Sequence, residues 1–137
     1  MNWKNGGDRM VAWNDYKEMA RGRGALALEL FVVESTPAGA PEAVKDNLPD
    51  HLAYQRKLEE NGTLVLAGPL SDPTGEIMVG AGLILYRAAT MQDAQGLAEA
   101  DPMHASGARS FTVRKWLVNE GNLTVNVGLS TGSARLA

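Results

Sequence analysis

The chain has 137 residues, of which 45% are hydrophobic and 21% are charged, and its formal net charge is -3. This composition is typical of one globular domain, and the acidic balance argues against nucleic acid or an anionic membrane as a partner, since both require a basic face. The absence of cysteine excludes disulfides, a thiol nucleophile and thiolate metal ligands.

The first predicted elements are a helix and a strand. Asp8 is expected to cap a helix whose apolar residues recur at three-to-four spacing, and Gly22 and Gly24 end it. In residues 25–33 alternate positions are apolar, which predicts a strand with one side against the core. The leading helix is therefore an addition before the first strand.

A loop and a second helix are predicted next. Residues 35–43 are rich in Pro, Gly and Ala and indicate a loop. Asn47 in the cap region and Pro49 in the first turn predict a helix over residues 49–60. Asn61-Gly62 ends this helix, and residues 63–67 form a short apolar strand.

The middle of the chain predicts a hairpin. Residues 71–75 have turn composition, and residues 77–86 form the third strand. Gly80 and Gly82 remove two side chains from the same face of that strand. This pattern indicates a bulge or the close approach of another group.

The last predicted elements are a helix and one or two strands. Thr90 and Asp93 resemble a capping box at the start of a helix that ends at Asp101-Pro102. Residues 109–118 form a fourth strand, and the alternation over residues 123–129 indicates a fifth.

After the leading helix, the order strand, helix, strand, strand, helix, strand predicts an α+β, ferredoxin-like split βαβ fold. In that topology the start of the first core helix, the end of the second strand and the end of the second core helix lie at the same end of the domain. We therefore expect His51, the Gly68-Pro69 turn, Asp72 and Asp101 to converge.

A family signature is distributed over residues 25–118. It comprises His51, Tyr54, Leu58, Gly62, Leu64, Ala67-Gly68-Pro69, Gly75, Gly80, Gly82, Ala94, Asp101-Pro102 and Gly107. In this combination the chain resembles the YCII-related family of small dimeric α+β barrel proteins. The resemblance implies a homodimer or higher homo-oligomer whose sheets face each other, and an active-site His–Asp pair that maps to His51 and Asp101.

The same resemblance gives the expected function and domain organisation. Most family members have no assigned reaction, and one branch removes chloride from a chlorinated hydroxyquinol. The chain departs from the short family form at both ends, so we predict one domain with a helical extension over residues 1–24, a family core over 25–120 and a strand-like tail over 121–137.

The residues themselves support a proton-transfer site. In the first turn of a helix, the positive end of the dipole would favour a neutral His51 ring that accepts a proton. Asp101 is the preferred partner because Pro102 restricts its backbone, and Asp72 is the second choice. The residues expected to bind the substrate are Tyr54, Gly68, Pro69 and Asp72. Backbone amides near Gly68 would stabilise negative charge, although Pro69 has no donor.

Structural roles compete with each of these assignments. His51 would equally serve as a packed or capping residue, Asp72 belongs to an ordinary turn sequence, and Asp101 would satisfy a helix end. Tyr54 would line the pocket and orient an aromatic substrate, or simply pack in the core. His104 is expected to be solvated or packed in a loop.

Two further regions are assigned to assembly. Trp116 is expected to contact a second subunit, because it lies on the opposite face of its strand from Phe111 and Val113. The alternating tail would join a neighbouring sheet edge, embrace the partner or fray.

Three functions remain open at this point. The first is a homodimeric enzyme that performs acid–base lyase, isomerase or dehydrochlorinase-like chemistry on a small aromatic or enol-type metabolite. The second is a noncatalytic ligand-binding module that uses the same cleft, and the third is a structural dimerisation domain. We expect no cofactor and no metal, since the chain's two histidines have no compact cluster of other ligands. No apolar run approaches the roughly 20 residues of a membrane span, and we expect a cytoplasmic protein.

Overall fold

The computed structural model describes residues 10–136. The helices are α1 (Trp13–Gly22), α2 (Pro41–Glu60), α3 (Met91–Ala100) and α4 (Pro102–Ala105). The strands are β1 (Leu28–Pro37), β2 (Leu64–Ser71), β3 (Met78–Tyr86), β4 (Arg109–Val118), β5 (Val125–Val127) and β6 (Ala134–Leu136). The expected cap at Asp8 lies outside the described residues.

The main sheet has the strand order β2-β3-β1-β4, in which β3 pairs antiparallel with both β1 and β2. This order is that of the ferredoxin-like fold, since the two βαβ halves interleave their strands. The predicted α+β, ferredoxin-like architecture is therefore confirmed.

The chain divides into two compact units, the larger of which is Glu29–Trp116. One face of its sheet packs against the helices, and alternate strand residues such as Phe31, Val33, Ile84 and Tyr86 are buried there. Burial of these apolar side chains is the main stabilising term of this unit, at about 1.5–3 kcal/mol for each large side chain.

Among the described residues, the smaller unit combines residues 10–28 with residues 117–136. Its apolar cluster contains Ala20, Ala27 and Leu117, with Trp13 and Tyr16 packed against them. The predicted fifth strand is shorter than residues 123–129 and pairs with β6 in a two-stranded hairpin.

Helix α2 begins eight residues before its predicted start. The proline taken as an initiating residue, Pro49, lies inside the helix, and Pro41 occupies the first turn instead. An internal proline removes one backbone hydrogen bond and costs about 3 kcal/mol, which is why Pro49 pointed to a helix start. Asn47, expected in the cap region, lies within α2 and donates from Nδ2 to the carbonyl oxygen of Ala43 at 2.7 Å.

The predicted loop over residues 35–43 is also wrong at both ends. Strand β1 continues to Pro37, and α2 already begins at Pro41. The cause is pairing between strands, because Ser35 lies opposite Gly82 in the β1–β3 ladder. Tertiary pairing therefore overrides the turn-like composition of this stretch.

The two glycines of β3 have the close-approach role that their spacing indicates. Gly80 has a φ of 91°, and a β-carbon added there would lie 2.7 Å from Cγ of Pro37. Gly82 faces the carbonyl oxygen of Gly68 on β2, 3.4 Å from where its own β-carbon would be. The β2–β3 register shifts between Pro69 and Ser71, so the expected irregularity is present.

No helix within residues 10–136 is both long enough and apolar enough to cross a membrane.

Candidate functional site

A cleft of about 380 Å³ lies within the larger unit, between α2 and the β2–β3 side of the sheet. Its volume is near the lower end of the range for small-molecule sites, about 300–1,000 Å³. The lining is mostly apolar and includes Val44, Leu48, Leu52, Met78 and Ile84. The polar side chains along it belong to Ser35, His51, Gln55 and Arg109.

His51 and Asp101 form a hydrogen-bonded pair at the wall of this cleft. Nδ1 of His51 lies 2.8 Å from Oδ1 and 2.9 Å from Oδ2 of Asp101. An ionised carboxylate only accepts hydrogen bonds, so Nδ1 carries the proton and donates it. Nε2, the other ring nitrogen, is then the acceptor of the neutral ring, and it has no protein partner within residues 10–136.

The position of Asp101 follows from the junction of two helices. Asp101 ends α3 and caps α4, where its Oδ1 accepts from the backbone N–H of Met103 at 2.9 Å. Its side chain has no exposed surface. A buried carboxylate is costly unless it is hydrogen-bonded, so the carboxylate is held firmly by these contacts to Met103 and His51.

The expected dipole effect on His51 does not apply. The helix starts at Pro41, ten positions earlier, which places His51 about 15 Å along the axis from the positive end. Dipole effects fall off within the first turn. The tautomer of His51 is therefore determined by Asp101 and not by the end of the helix.

Of the four residues expected to contact substrate, two line this cleft. Gly68 and Pro69 do so from β2, where Gly68 lies opposite Leu83. Tyr54 is absent from this lining, and its hydroxyl donates to the carbonyl oxygen of Leu97 at 2.6 Å. Burial, and to a smaller degree the charge of Asp101, raises the pKa of Tyr54. Tyr54 thus ties α2 to α3.

Asp72, the second candidate partner of His51, lies in the β2–β3 turn and does not line the cleft. Its Oδ1 accepts from the Thr74 hydroxyl at 2.7 Å and from the Ile77 N–H at 3.3 Å. The hydrogen bond from Thr74 is the main reason that the pKa of Asp72 is lowered. The structure therefore brings Asp101, and not Asp72, to His51.

A second histidine lies close to the pair. His104 belongs to α4, so the expected loop position is wrong. Its Nδ1–H donates to the carbonyl oxygen of Ala98 at 2.7 Å, and its Nε2 accepts from the Ser35 hydroxyl at 2.8 Å. Burial is the main reason that the pKa of His104 is lowered, and the neutral ring fits these contacts. The Asp101-Pro102 pair was a signal for this short helix, because it places a capping residue before a first-turn proline.

Ser35 and Arg109 were missed by sequence reasoning. Arg109 donates from Nε to Oγ of Ser35 at 2.8 Å and from Nη2 to the Ser35 carbonyl oxygen at 2.9 Å. Nη2 also donates to the carbonyl oxygen of Gly80. The two side chains are 74 positions apart in the chain, and neither belongs to a local motif.

No group of three or more His, Cys, Asp or Glu side chains within residues 10–136 is arranged to hold a metal ion.

The fold and the cleft define a ferredoxin-like α+β protein with a His–carboxylate pair beside an apolar cleft. The model of the YCII-related domain matches residues 28–117, which is well over half of the chain. The protein therefore belongs to the YCII-related family.

Two known proteins are similar to this chain. Uncharacterized protein YjpA of Bacillus subtilis (strain 168) is 28% identical over 72 residues, which are 53% of this chain and 78% of YjpA. The second is 5-chloro-2-hydroxyhydroquinone dehydrochlorinase (TftG) from Burkholderia phenoliruptrix AC1100, solved in complex with 2,5-dihydroxybenzoquinone. Its structure matches with a TM-score of 0.51 and 22% identity over 64% of this chain and 92% of TftG. This likeness shows the shared fold.

The lowered pKa of His104 predicts that acid destabilises the protein through this residue. In the unfolded chain a histidine has a pKa of about 6.5, so on acidification the unfolded state binds the proton first. The contribution of the neutral His104 ring to the free energy of unfolding is complete above about pH 6.5. It is lost as the pH falls through the lower pKa of His104 in the folded state. Urea denaturation between about pH 7.5 and 5 should therefore show a smaller loss of unfolding free energy in His104→Gln than in the wild type. An equal loss in both proteins would contradict this assignment.

Proposed function

We propose that this protein is an enzyme that moves protons on a small aromatic or enol-type molecule, with His51 as the acid–base residue and Asp101 as its positioning residue. The reaction class is a lyase or isomerase reaction, including dehydrochlorinase-like elimination. The observation that carries the proposal is the contact of His51 Nδ1 with both oxygens of a fully buried carboxylate beside an apolar cleft.

The proposed proton transfers follow from the tautomer of the His51 ring. With Nδ1–H donated to Asp101, Nε2 of His51 is free to take a proton from a hydroxyl group or an activated carbon of the substrate. The charged ring that results is stabilised by the adjacent carboxylate. In an isomerase reaction Nε2–H returns the proton to another atom of the substrate. In a dehydrochlorinase-like elimination chloride leaves as the anion and Nε2–H passes its proton to water, so the ring is neutral again after each cycle.

The size and lining of the cleft support a substrate with one ring. A volume of about 380 Å³ with mostly apolar walls suits a small planar molecule. The fold neighbour TftG is named as a dehydrochlorinase and was solved with a dihydroxylated quinone, so compounds of this type are the first to test.

Replacement of His51 by Gln tests the acid–base assignment. We expect kcat to fall by about 10²–10⁴-fold, the usual contribution of a positioned acid–base group, with a much smaller change in KM. The first assay measures chloride release from 5-chloro-2-hydroxyhydroquinone, followed by turnover of other hydroxylated quinones and phenols. Gln retains a donor toward Asp101, so the loss reports on chemistry more than on folding.

The matched control is Asp50→Asn, which changes an exposed neighbour of His51 on the same helix and should leave turnover unchanged. Wild-type turnover in His51→Gln would rule out the proposed mechanism. Tight ligand binding by the wild type without turnover of any compound would favour the noncatalytic binding module.

We also propose that the protein is a homodimer formed through the sheet face that points away from α2 and α3. Leu66 lies opposite Leu85, and Trp116 alternates with the buried Leu117, so we infer that both lie on that face, where they are 61% and 46% exposed. Large apolar side chains gathered on one sheet face are typical of a protein–protein contact. The family resemblance, with its facing sheets, supports the same arrangement.

Light scattering after size exclusion tests the dimer. The wild type should have about twice the chain mass of 14.6 kDa. Leu66→Glu should shift the protein to the monomer, because a charge in an apolar contact is strongly unfavourable. Met91→Glu places a charge on an exposed apolar residue of α3 and should leave the dimer intact. A monomeric wild type would contradict the proposal.

A further inference from the structure

Arg109 is held rigidly at the cleft by contacts that use part of its donor capacity. Its Nε–H and both N–H groups of Nη2 are directed at Ser35 and at the carbonyl oxygen of Gly80. A guanidinium group has five N–H donors in a fixed plane. The two N–H groups of Nη1 therefore remain, and they have no partner within residues 10–136.

The charge of Arg109 is also offset only in part. Within residues 10–136 no carboxylate lies within ion-pair distance of its guanidinium. Burial lowers the pKa of Arg109 and the charge of Asp101 partly opposes that shift, while an arginine side chain stays protonated in proteins. A partly buried cation without a carboxylate in direct contact is unfavourable, and an anion in the cleft would reduce that cost.

Ser35 determines how the guanidinium is oriented. His104 donates through Nδ1 to Ala98, so its Nε2 accepts, and the Ser35 hydroxyl must donate to it. The same hydroxyl oxygen accepts from Nε of Arg109. The Ser35 proton thus points toward His104, and Arg109 is the hydrogen-bond donor that this side of the cleft offers.

We propose that Arg109 binds an anionic oxygen of the substrate through Nη1, while Ser35 and His104 position the guanidinium. The anionic oxygen belongs to a carboxylate or to an ionised enol or phenol. The inference rests on the proposed function, since Arg109 and His51 line the same cleft. It narrows the substrate to a small apolar molecule that carries one negatively charged oxygen.

Binding of matched anionic and neutral probes tests this proposal by calorimetry at low salt. Benzoate is compared with benzamide, and ionised 2,5-dihydroxybenzoquinone with neutral 2,5-diaminobenzoquinone. The wild type should prefer at least one anion over its neutral counterpart by roughly tenfold to a hundredfold, as expected for hydrogen bonds to a charged group. Tighter binding of benzoate than of benzamide identifies a carboxylate as the preferred anionic group. Tighter binding of 2,5-dihydroxybenzoquinone than of 2,5-diaminobenzoquinone identifies an ionised enol.

Arg109→Gln should abolish this preference, and Arg109→Lys should retain part of it, because lysine keeps the charge but not the planar fork. Arg87→Gln changes an exposed arginine that contacts the carbonyl oxygen of Gly62, and it should have no effect. If Arg109→Gln fails to fold, the selectivity of the wild type and of Arg109→Lys still decides the question.

Equal affinity of the wild type for anionic and neutral probes would overturn the proposal, and so would an unchanged preference in folded Arg109→Gln. These results are separate from those on the acid–base role. His51→Gln should retain the anion preference while losing turnover, so failure of one assignment leaves the other distinguishable.

Discussion

The buried carboxylate of Asp101 is the constraint on which the candidate site depends. Asp101 ends α3, caps α4 and accepts from His51 on α2, so one side chain joins three helices. Because the group has no exposed surface, its charge must be satisfied by these donors. The hydrogen bonds that offset the cost of burying the Asp101 carboxylate also orient the imidazole ring of His51. Stability and chemistry are therefore coupled at Asp101.

Two of the four polar side chains along the mostly apolar cleft offer complementary groups. His51 offers an acceptor, Nε2, and Arg109 offers donors with a positive charge. A molecule that carries both an acidic proton and an anionic oxygen would match both positions. Ser35, which also lines the cleft, accepts from Arg109 and donates to His104, and these contacts hold the guanidinium in place.

The fold and the His51–Asp101 half of the site could be predicted from sequence, because both rest on local patterns. Alternating strands and capping residues identify the element order, and Asp101-Pro102 marks a chain reversal. The start of α2 could not be predicted, since an internal Pro49 imitates a helix start while packing keeps the helix intact. Ser35 and Arg109 were not predicted either, because only the β3-β1-β4 strand order brings strand residues 74 positions apart into contact.

The most direct measurement of the His51–Asp101 pair is the tautomer of the His51 ring, read from its ¹⁵N chemical shifts at about pH 9, where an ordinary histidine is neutral. The spectrum of His51→Gln assigns the resonances. We predict a protonated Nδ1 and an unprotonated Nε2, the reverse of the tautomer that free histidine prefers. A protonated Nε2 would contradict the orientation by Asp101 and remove the acceptor on which the proposed chemistry depends.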